Sequence, residues 1–252
     1  MKKANDYNSF AESRQQDILS GAMKSHSLVE KPAMESLLPS LTGTTVLMLG
    51  CGTGDESLIL TTKNPAKLIG IDISENSINV AKRSYPDCEF KIGNMESIDF
   101  KEETFDFVYS SLAIDYTDDP IKVYKEVFRV LKSTGKFLFS VPHPLRWSSE
   151  RIIVDEHSMM VMGFAERGND GKTFGDYHKY ARYEHNFNDR GEKLAFWIGP
   201  PSMHFKLLKE AGFIIEEFVE TKVIEKAKEI DFAYYNKFSK FPQFTIFLAA
   251  KP

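Results

Sequence analysis

Three glycines in Gly50-Cys51-Gly52-Thr53-Gly54, behind the apolar run Val46-Leu47-Met48-Leu49 and ahead of Asp55, form a turn where backbone can approach a ligand. The run predicts a buried strand, and the turn then enters a helix. Two ligand classes use such a turn. A dinucleotide site has the spacing G-x-G-x-x-G/A, whose last small residue lets the helix pack on the strand beneath a pyrophosphate. Here the spacing is G-x-G-x-G and the sixth position is Asp55, which suits neither close packing nor a phosphate at a helix N-terminus. A ligand with a zwitterionic amino-acid end and a positive sulfonium fits better, which points to S-adenosylmethionine. Asp72 is the second element. It ends Leu68-Ile69-Gly70-Ile71-Asp72, where an acceptor-only carboxylate can take both hydroxyls of a ribose and repels a 2′-phosphate. Taken singly, the glycines read as a tight strand–helix connection and Asp72 as a solvated loop carboxylate. Together in one βαβ unit they argue for a nucleoside ligand.

The elements that must position these residues follow from periodicity. From Thr44 to Val141 short apolar runs alternate with segments of helical period, the pattern of a doubly wound parallel sheet. Strands are predicted at Thr45–Leu49, Lys67–Asp72, Glu89–Ile92, Phe105–Ser110 and Lys136–Val141. Several are apolar on both faces, as strands between two helix layers are. Ser74 is placed to cap a helix through Val80 to Arg83, and Pro120 suits the first turn of the next, which buries Ile121, Tyr124, Val127, Phe128 and Leu131. After Val141 the rhythm breaks at Pro142-His143-Pro144. An aromatic-rich, histidine-rich segment follows, with one hairpin signal: Tyr177–Phe187, a turn at Asn188-Asp189-Arg190-Gly191, and a return at Glu192–Ile198. The rhythm resumes with a helix near Ser202–Ala211 ended by Gly212, then strands at Phe213–Val219 and Gln243–Ala249. Residues 1–40 read as two amphipathic helices, the second with Pro32 in its first turn.

Length and composition bound the rest. A chain of 252 residues holds one sizeable α/β domain with an insertion, not two enzyme domains. A net charge of −4 without a Lys/Arg run argues against a nucleic-acid surface. Cys51 and Cys88 are too few for a disulfide framework and too far apart for a zinc knuckle, and no His/Cys/carboxylate spacing suggests a metal. No apolar segment approaches the ~20 residues of a membrane span, and the N-terminus has no signal-peptide core. The expectation is a cytoplasmic protein with no membrane partner.

At these residues the chain resembles the class I S-adenosylmethionine-dependent methyltransferases, specifically the methyltransferase type 11 (ubiquinone/menaquinone-biosynthesis-methyltransferase-like) group. The likeness runs from about Val46 to Val141. It covers the glycine turn, Gly70-Ile71-Asp72-Ile73-Ser74, Gly93-Asn94-Met95-Glu96, Thr104-Phe105-Asp106-Phe107-Val108-Tyr109-Ser110-Ser111-Leu112, and Glu126-Val127-Phe128-Arg129-Val130-Leu131-Lys132. Weaker likeness extends to Leu207-Leu208-Lys209-Glu210-Ala211-Gly212-Phe213 and back to Glu30-Lys31-Pro32-Ala33-Met34. The resemblance implies a seven-stranded Rossmann-like sheet, mostly parallel with the last strand antiparallel, and an insertion after strand five. It divides the chain into an N-terminal helical lid (1–40), a cofactor core (41–141), a substrate cap (142–200) and C-terminal helix and strands (201–252). It implies that Gly50, Cys51 and Gly52 line the methionine part of the cofactor and that Asp72 takes the ribose. Ile73 would pack on adenine, Asn94 and Met95 would meet its edge, and Ser111 and Leu112 would lie beside the methyl. The chain departs from the group at Met48, where an acidic residue is usual and helps anchor the amino-acid end. It departs also at Asn94, where Asp is commoner, and at Trp197-Ile198-Gly199-Pro200, where relatives often carry His-Arg.

Methyl transfer to a small-molecule acceptor, leaving S-adenosylhomocysteine, is an in-line displacement from a good leaving group, so the protein mainly aligns the reactants. A base is needed only for an acceptor protonated at neutral pH, and His143, directly after the fifth strand, is the first candidate. Tyr177, Tyr180, Trp197 and His204 are candidate acceptor contacts, since aromatic density suits an apolar or planar molecule. The same aromatics would equally serve a homodimer interface. Tyr7 and Phe10 are candidates for a lid over the cofactor. Three other readings stand beside the small-molecule enzyme: a non-catalytic regulatory protein that binds S-adenosylmethionine or S-adenosylhomocysteine, a nicotinamide dinucleotide oxidoreductase, and, more weakly, a nucleic-acid methyltransferase, whose signature would be salt-dependent RNA binding.

Overall fold

A computed structural model describes residue 8 and residues 11–167, 170–186 and 193–252. Its centre is a seven-stranded sheet of order β12-β13-β5-β4-β1-β2-β3. The strands are β1 (Thr45–Leu49), β2 (Lys67–Asp72), β3 (Glu89–Ile92), β4 (Phe105–Ser111), β5 (Leu131–Pro142), β12 (Ile214–Glu220) and β13 (Phe244–Ala250). Strands β1 to β5 run parallel, and β13 is antiparallel to both its neighbours.

Strand alternation divides the core in two. Leu47, Leu49, Val108, Phe137 and Phe139 face one side with Phe247; Val46, Met48, Phe107, Tyr109 and Leu138 face the other with Ile246 and Leu248. Successive side chains point to opposite faces, so a strand covered on both sides must be apolar at every position. The first face is covered by α5 (Pro120–Val130) and α7 (Pro201–Ala211), through Val123, Tyr124, Val127 and Leu208. The second is covered by α2 (Lys31–Ser36), α3 (Ser57–Thr61) and α4 (Glu75–Ser84), through Met34, Leu60, Ile78 and Ala81.

The expected helix ends are present. Ser74 Oγ accepts from the Ser77 N–H (3.1 Å) at the start of α4, and Gly212 closes α7 at φ 103, a left-handed conformation that favours glycine. Three regions differ from the sequence expectation. Strand β5 begins at Leu131, not Lys136, because Leu131 pairs with Phe105 as soon as α5 ends. The N-terminal segment has α1 (Ala11–Leu19), but its second helix begins as a π-helical turn, His26–Glu30, running directly into α2. The insertion holds three hairpins where one was signalled: β6 (Glu150–Val154) with β7 (His157–Val161), β8 (Gly163–Arg167) with β9 (Asp170–Phe174), and β10 (Ala181–Asn186) with β11 (Lys193–Ile198). The first turns through Asp155 and Glu156, at φ 48 and 66, without the glycine or asparagine that usually signals such a turn. The expected turn at 188–191, and Tyr7, Phe10 and Phe187, lie outside the described residues.

Candidate functional site

The carboxyl ends of β1 and β4 open into a cleft. Its floor is the glycine turn. Gly50, Gly52 and Gly54 all have positive φ (61, 52 and 86), and their surroundings differ. A Cβ on Gly50 would lie 2.4 Å from the Ala113 Cβ and 3.0 Å from the Met95 Cε, whereas one on Gly52 would meet nothing within 4 Å. Gly50 is therefore needed for packing, and Gly52 leaves bare backbone facing open space. Asp72 ties the turn to β2. Its Oδ2 accepts from the Gly52 N–H (2.8 Å) and its Oδ1 from the Ser74 N–H (2.9 Å). Burial raises its carboxyl above the usual range, against those two N–H groups.

Asp55 is buried at the entry to α3. Thr53 donates to its Oδ2, and Tyr85 donates to Oδ1 at 2.9 Å. A carboxylate thus occupies the region where a helix N-terminus would otherwise attract a phosphate.

The N-terminal segment supplies the facing wall. Arg14 and Ile18 of α1 and His26 line the cleft together with Glu56, Tyr109 and Ser111. Glu30 is fully buried beside it. Its Oε1 accepts from Ser111 (2.9 Å) and Ser140 (2.5 Å). His26 Nε2 sits 3.4 Å from Glu30 Oε2 and 3.1 Å from Glu56 Oε1. Burial works to lower the imidazole pKa, but Glu56 and Glu30 outweigh it and hold His26 above its ordinary value. Burial likewise opposes ionisation of Glu56, yet His26, Lys31 and Tyr109 keep that carboxyl low. In Glu30 burial prevails and the carboxyl is raised.

Of the residues expected at the cofactor, Gly50, Cys51, Gly52 and Ser111 line this cleft. Ile73 stands just beyond Asp72 with 41% of its surface exposed. Asn94 is exposed, and its side-chain oxygen accepts from the Glu96 N–H (2.9 Å), while Met95 packs over Gly50. Leu112 takes φ 48, and its N–H donates to Ser140 Oγ (3.0 Å). A branched residue held left-handed at a cleft edge is stored strain of the kind found at ligand sites.

The histidines of the other half of the edge are committed elsewhere. His143 Nδ1 accepts from the Leu145 N–H (3.1 Å), capping α6 (Pro144–Ser148), and its Nε2 meets Glu220 Oε1 at 2.9 Å. Both nitrogens are used, and burial lowers its pKa despite Glu220. His204 lies in the core against Phe139, Phe247 and Tyr124. Its Nδ1 is 2.7 Å from the Tyr124 hydroxyl, its Nε2 3.8 Å from Asp115 Oδ1, and burial pushes it down to about 3. Tyr180 stacks on Trp197 (4.8 Å), whose Nε1 donates to the Thr117 carbonyl (3.1 Å). Tyr177 makes an edge contact with His178.

The sequence reading did not single out Arg14, His26, Glu56 or Tyr109. One signal was present: His26 and Glu30, four apart, are polar residues in a helix that also buries Leu28 and Val29. Polar side chains on a buried helical face require partners.

A family model described as a methyltransferase domain matches residues 40–182, more than half of the chain. A demethylmenaquinone methyltransferase of Lactococcus lactis is 35% identical over 131 residues, 49% of this chain and 52% of the relative. A malonyl-[acyl-carrier protein] O-methyltransferase of Herminiimonas arsenicoxydans is 37% identical over 108 residues, 42% and 40% of the two chains. The chain thus spans about half the length of the curated relatives it matches. Among solved structures, the S-adenosylmethionine-dependent methyltransferase of Mesorhizobium loti superposes with a TM-score of 0.71 at 22% identity, covering 88% of this chain and 97% of the other.

Proposed function

Because the chain belongs to the methyltransferase-domain family, we propose that it is an S-adenosylmethionine-dependent methyltransferase acting on a small molecule. The observation that carries this reading is the cleft over β1: open backbone at Gly52, the Asp72 carboxylate at the end of β2, and a facing wall that carries both signs of charge. Asp55, buried at the start of α3, argues against a pyrophosphate at the same place. The relatives named for methyl transfer to demethylmenaquinone and to a malonyl-carrier protein support the reaction class.

When bound, S-adenosylmethionine supplies a methyl group activated by a sulfonium. The protein's part is alignment, which can contribute ~7–11 kcal/mol. Gly50, Cys51 and Gly52 form the floor, Asp72 receives the ribose, and exposed Ile73 offers an apolar face to the base. Ser111 and the strained Leu112 form the rim towards the acceptor. The insertion covers that side, with the Tyr180–Trp197 stack as the wall for a planar or apolar acceptor. His143 holds the start of α6 through its cap and its contact to Glu220, a positioning role. Among the described residues no helix is long and apolar enough to cross a membrane. With Cys51 and Cys88 unbridged, we place the protein in a reducing, cytoplasmic compartment.

Calorimetric titration with S-adenosylmethionine, S-adenosylhomocysteine and NADH, for the wild type and Asp72→Ala, tests the assignment. Micromolar binding of the two adenosyl ligands, lost by tenfold or more in the variant, is expected on the order of one charged hydrogen-bond pair. NADH binding in their place would overturn it. An acceptor screen by S-adenosylhomocysteine release then separates an enzyme from a non-catalytic binder.

A further inference from the structure

Any ligand ending in an amino acid brings an ammonium and a carboxylate, one carbon apart, into the cleft over β1. The strand itself offers them nothing, since it ends in Met48 and Leu49, both apolar and buried. Asp55 is spoken for: Thr53 and Tyr85 occupy its two oxygens. Asp72 faces the β2 side and receives two backbone N–H groups. Glu56 and Glu30 are different. Glu56 Oε2 accepts from the Tyr109 hydroxyl (3.0 Å), but its Oε1 is buried with no hydrogen bond; Glu30 Oε2 is in the same condition. A buried carboxylate oxygen left without a hydrogen bond is costly and rare. The His26 imidazole lies between those two oxygens and Lys31 Nζ is 3.7 Å from Glu56, so the pair is held by charge without being saturated. Arg14 lines the same cleft from α1, close enough for its charge to act on both His26 and Asp72.

We propose that the amino-acid end of the ligand is held by a mixed-charge wall assembled from three separate segments, with Glu56 receiving the ammonium and Arg14 the carboxylate. His26 and Glu30 are positioning residues that fix Glu56. The inference rests on the S-adenosylmethionine reading above and deepens it. A zwitterion adds no net charge to a wall that carries both signs, whereas a polyphosphate would face Asp55 and Glu56 together. Specificity for the ligand's tail is therefore set by the N-terminal segment and the residue that enters α3, and an apolar Met48 is compatible with binding.

Two ligands separate this from the parent reading. S-adenosylhomocysteine carries the amino-acid end, and 5′-methylthioadenosine keeps the adenosyl thioether but lacks it. In calorimetric titrations, Glu56→Gln and Arg14→Gln should each weaken S-adenosylhomocysteine by about 10–100-fold, the range of one charge-assisted contact. Both should leave 5′-methylthioadenosine within about twofold of wild type, which also reports that each variant is folded. His26→Gln should weaken S-adenosylhomocysteine less than Glu56→Gln does. Equal losses for the two ligands, or no loss for either, would overturn the proposal while the cofactor assignment stands. A wild-type protein that binds neither ligand overturns both.

Discussion

The segment from the last residue of β4 into the loop that follows touches two buried histidine sites, and they treat an imidazole in opposite ways. At one end of this segment, Ser111 donates to Glu30, whose neighbour His26 also faces Glu56 and is held above its ordinary pKa. At the other, Asp115 lies beside His204, which is pushed down to about 3. Both rings are buried, so burial alone does not decide the charge. The number of ionised partners within reach does. Asp115 is itself driven well above the carboxylate range by burial and has little negative charge to offer, whereas Glu56 is kept ionised. One end is therefore polar and lines the cleft, able to receive a charged ligand, and the other is an aromatic core that holds a neutral Tyr124–His204 hydrogen bond.

The largest effect expected from breaking this arrangement is at its hinge. Gly50→Ala would place a Cβ 2.4 Å from Ala113 at φ 61. Left-handed strain and overlap together should cost roughly 3 kcal/mol. Chemical denaturation would show this, with S-adenosylhomocysteine binding lost; Gly52→Ala, which has only the strain, should lose about a third as much stability. Equal losses would mean that the contact with Ala113 is unimportant.

On the aromatic side, Tyr124→Phe leaves His204 Nδ1 buried without its partner and should cost about 1–3 kcal/mol. Tyr124→Phe combined with His204→Phe should cost less than the sum of the single changes, since both polar partners are then gone. Additive losses in urea melts would show that the bond contributes nothing of its own.

The two histidines should also give pH slopes of opposite sign. His204 stays neutral when folded but takes a proton near 6.5 when unfolded. Its contribution to stability therefore falls as the pH drops from about 6.5 towards 3, by up to about 1.4 kcal/mol per unit. His26 has a raised folded pKa, so its contribution is full below about 6.5 and fades as the pH rises through the folded value. Unfolding free energy measured across pH should lose part of its slope between about pH 6.5 and 3 in the Tyr124→Phe/His204→Phe variant and part of its alkaline slope in His26→Gln. A single shared slope in both variants would collapse the contrast.

The smallest effect is expected at the rim. Tyr180 is 41% exposed and stacked on Trp197, so Tyr180→Ala should cost under about 1 kcal/mol. It should leave S-adenosylhomocysteine affinity unchanged while raising KM for an acceptor. A tenfold loss of S-adenosylhomocysteine affinity would show that the two walls are not separate.

Residue order alone made the sheet legible, because its signals are local. Val46 to Leu49 is apolar at every position, as a doubly covered strand must be. Ser74, Pro120 and Gly212 mark helix ends through their own backbone and side-chain chemistry. The glycine turn and Asp72 could be read as a nucleoside site for the same reason: twenty residues and one βαβ unit separate Gly52 from Asp72, and the Gly52 N–H meets that carboxylate. The insertion was harder. Asp155 and Glu156 turn with positive φ, and Glu156 stands where glycine is usual, so the hairpin they join is held by strand pairing more than by turn chemistry.

What only the tertiary structure decided is the charge state and company of residues far apart in the chain. Nothing local to Glu30 says that it will meet Ser111 and Ser140, and nothing local to His143 says that Leu145 and Glu220 will occupy both its nitrogens. Electrostatic character depends on burial and on neighbours within a few ångströms. Those neighbours come from separate segments that meet only when α1, the His26 turn and α3 close over the end of β1.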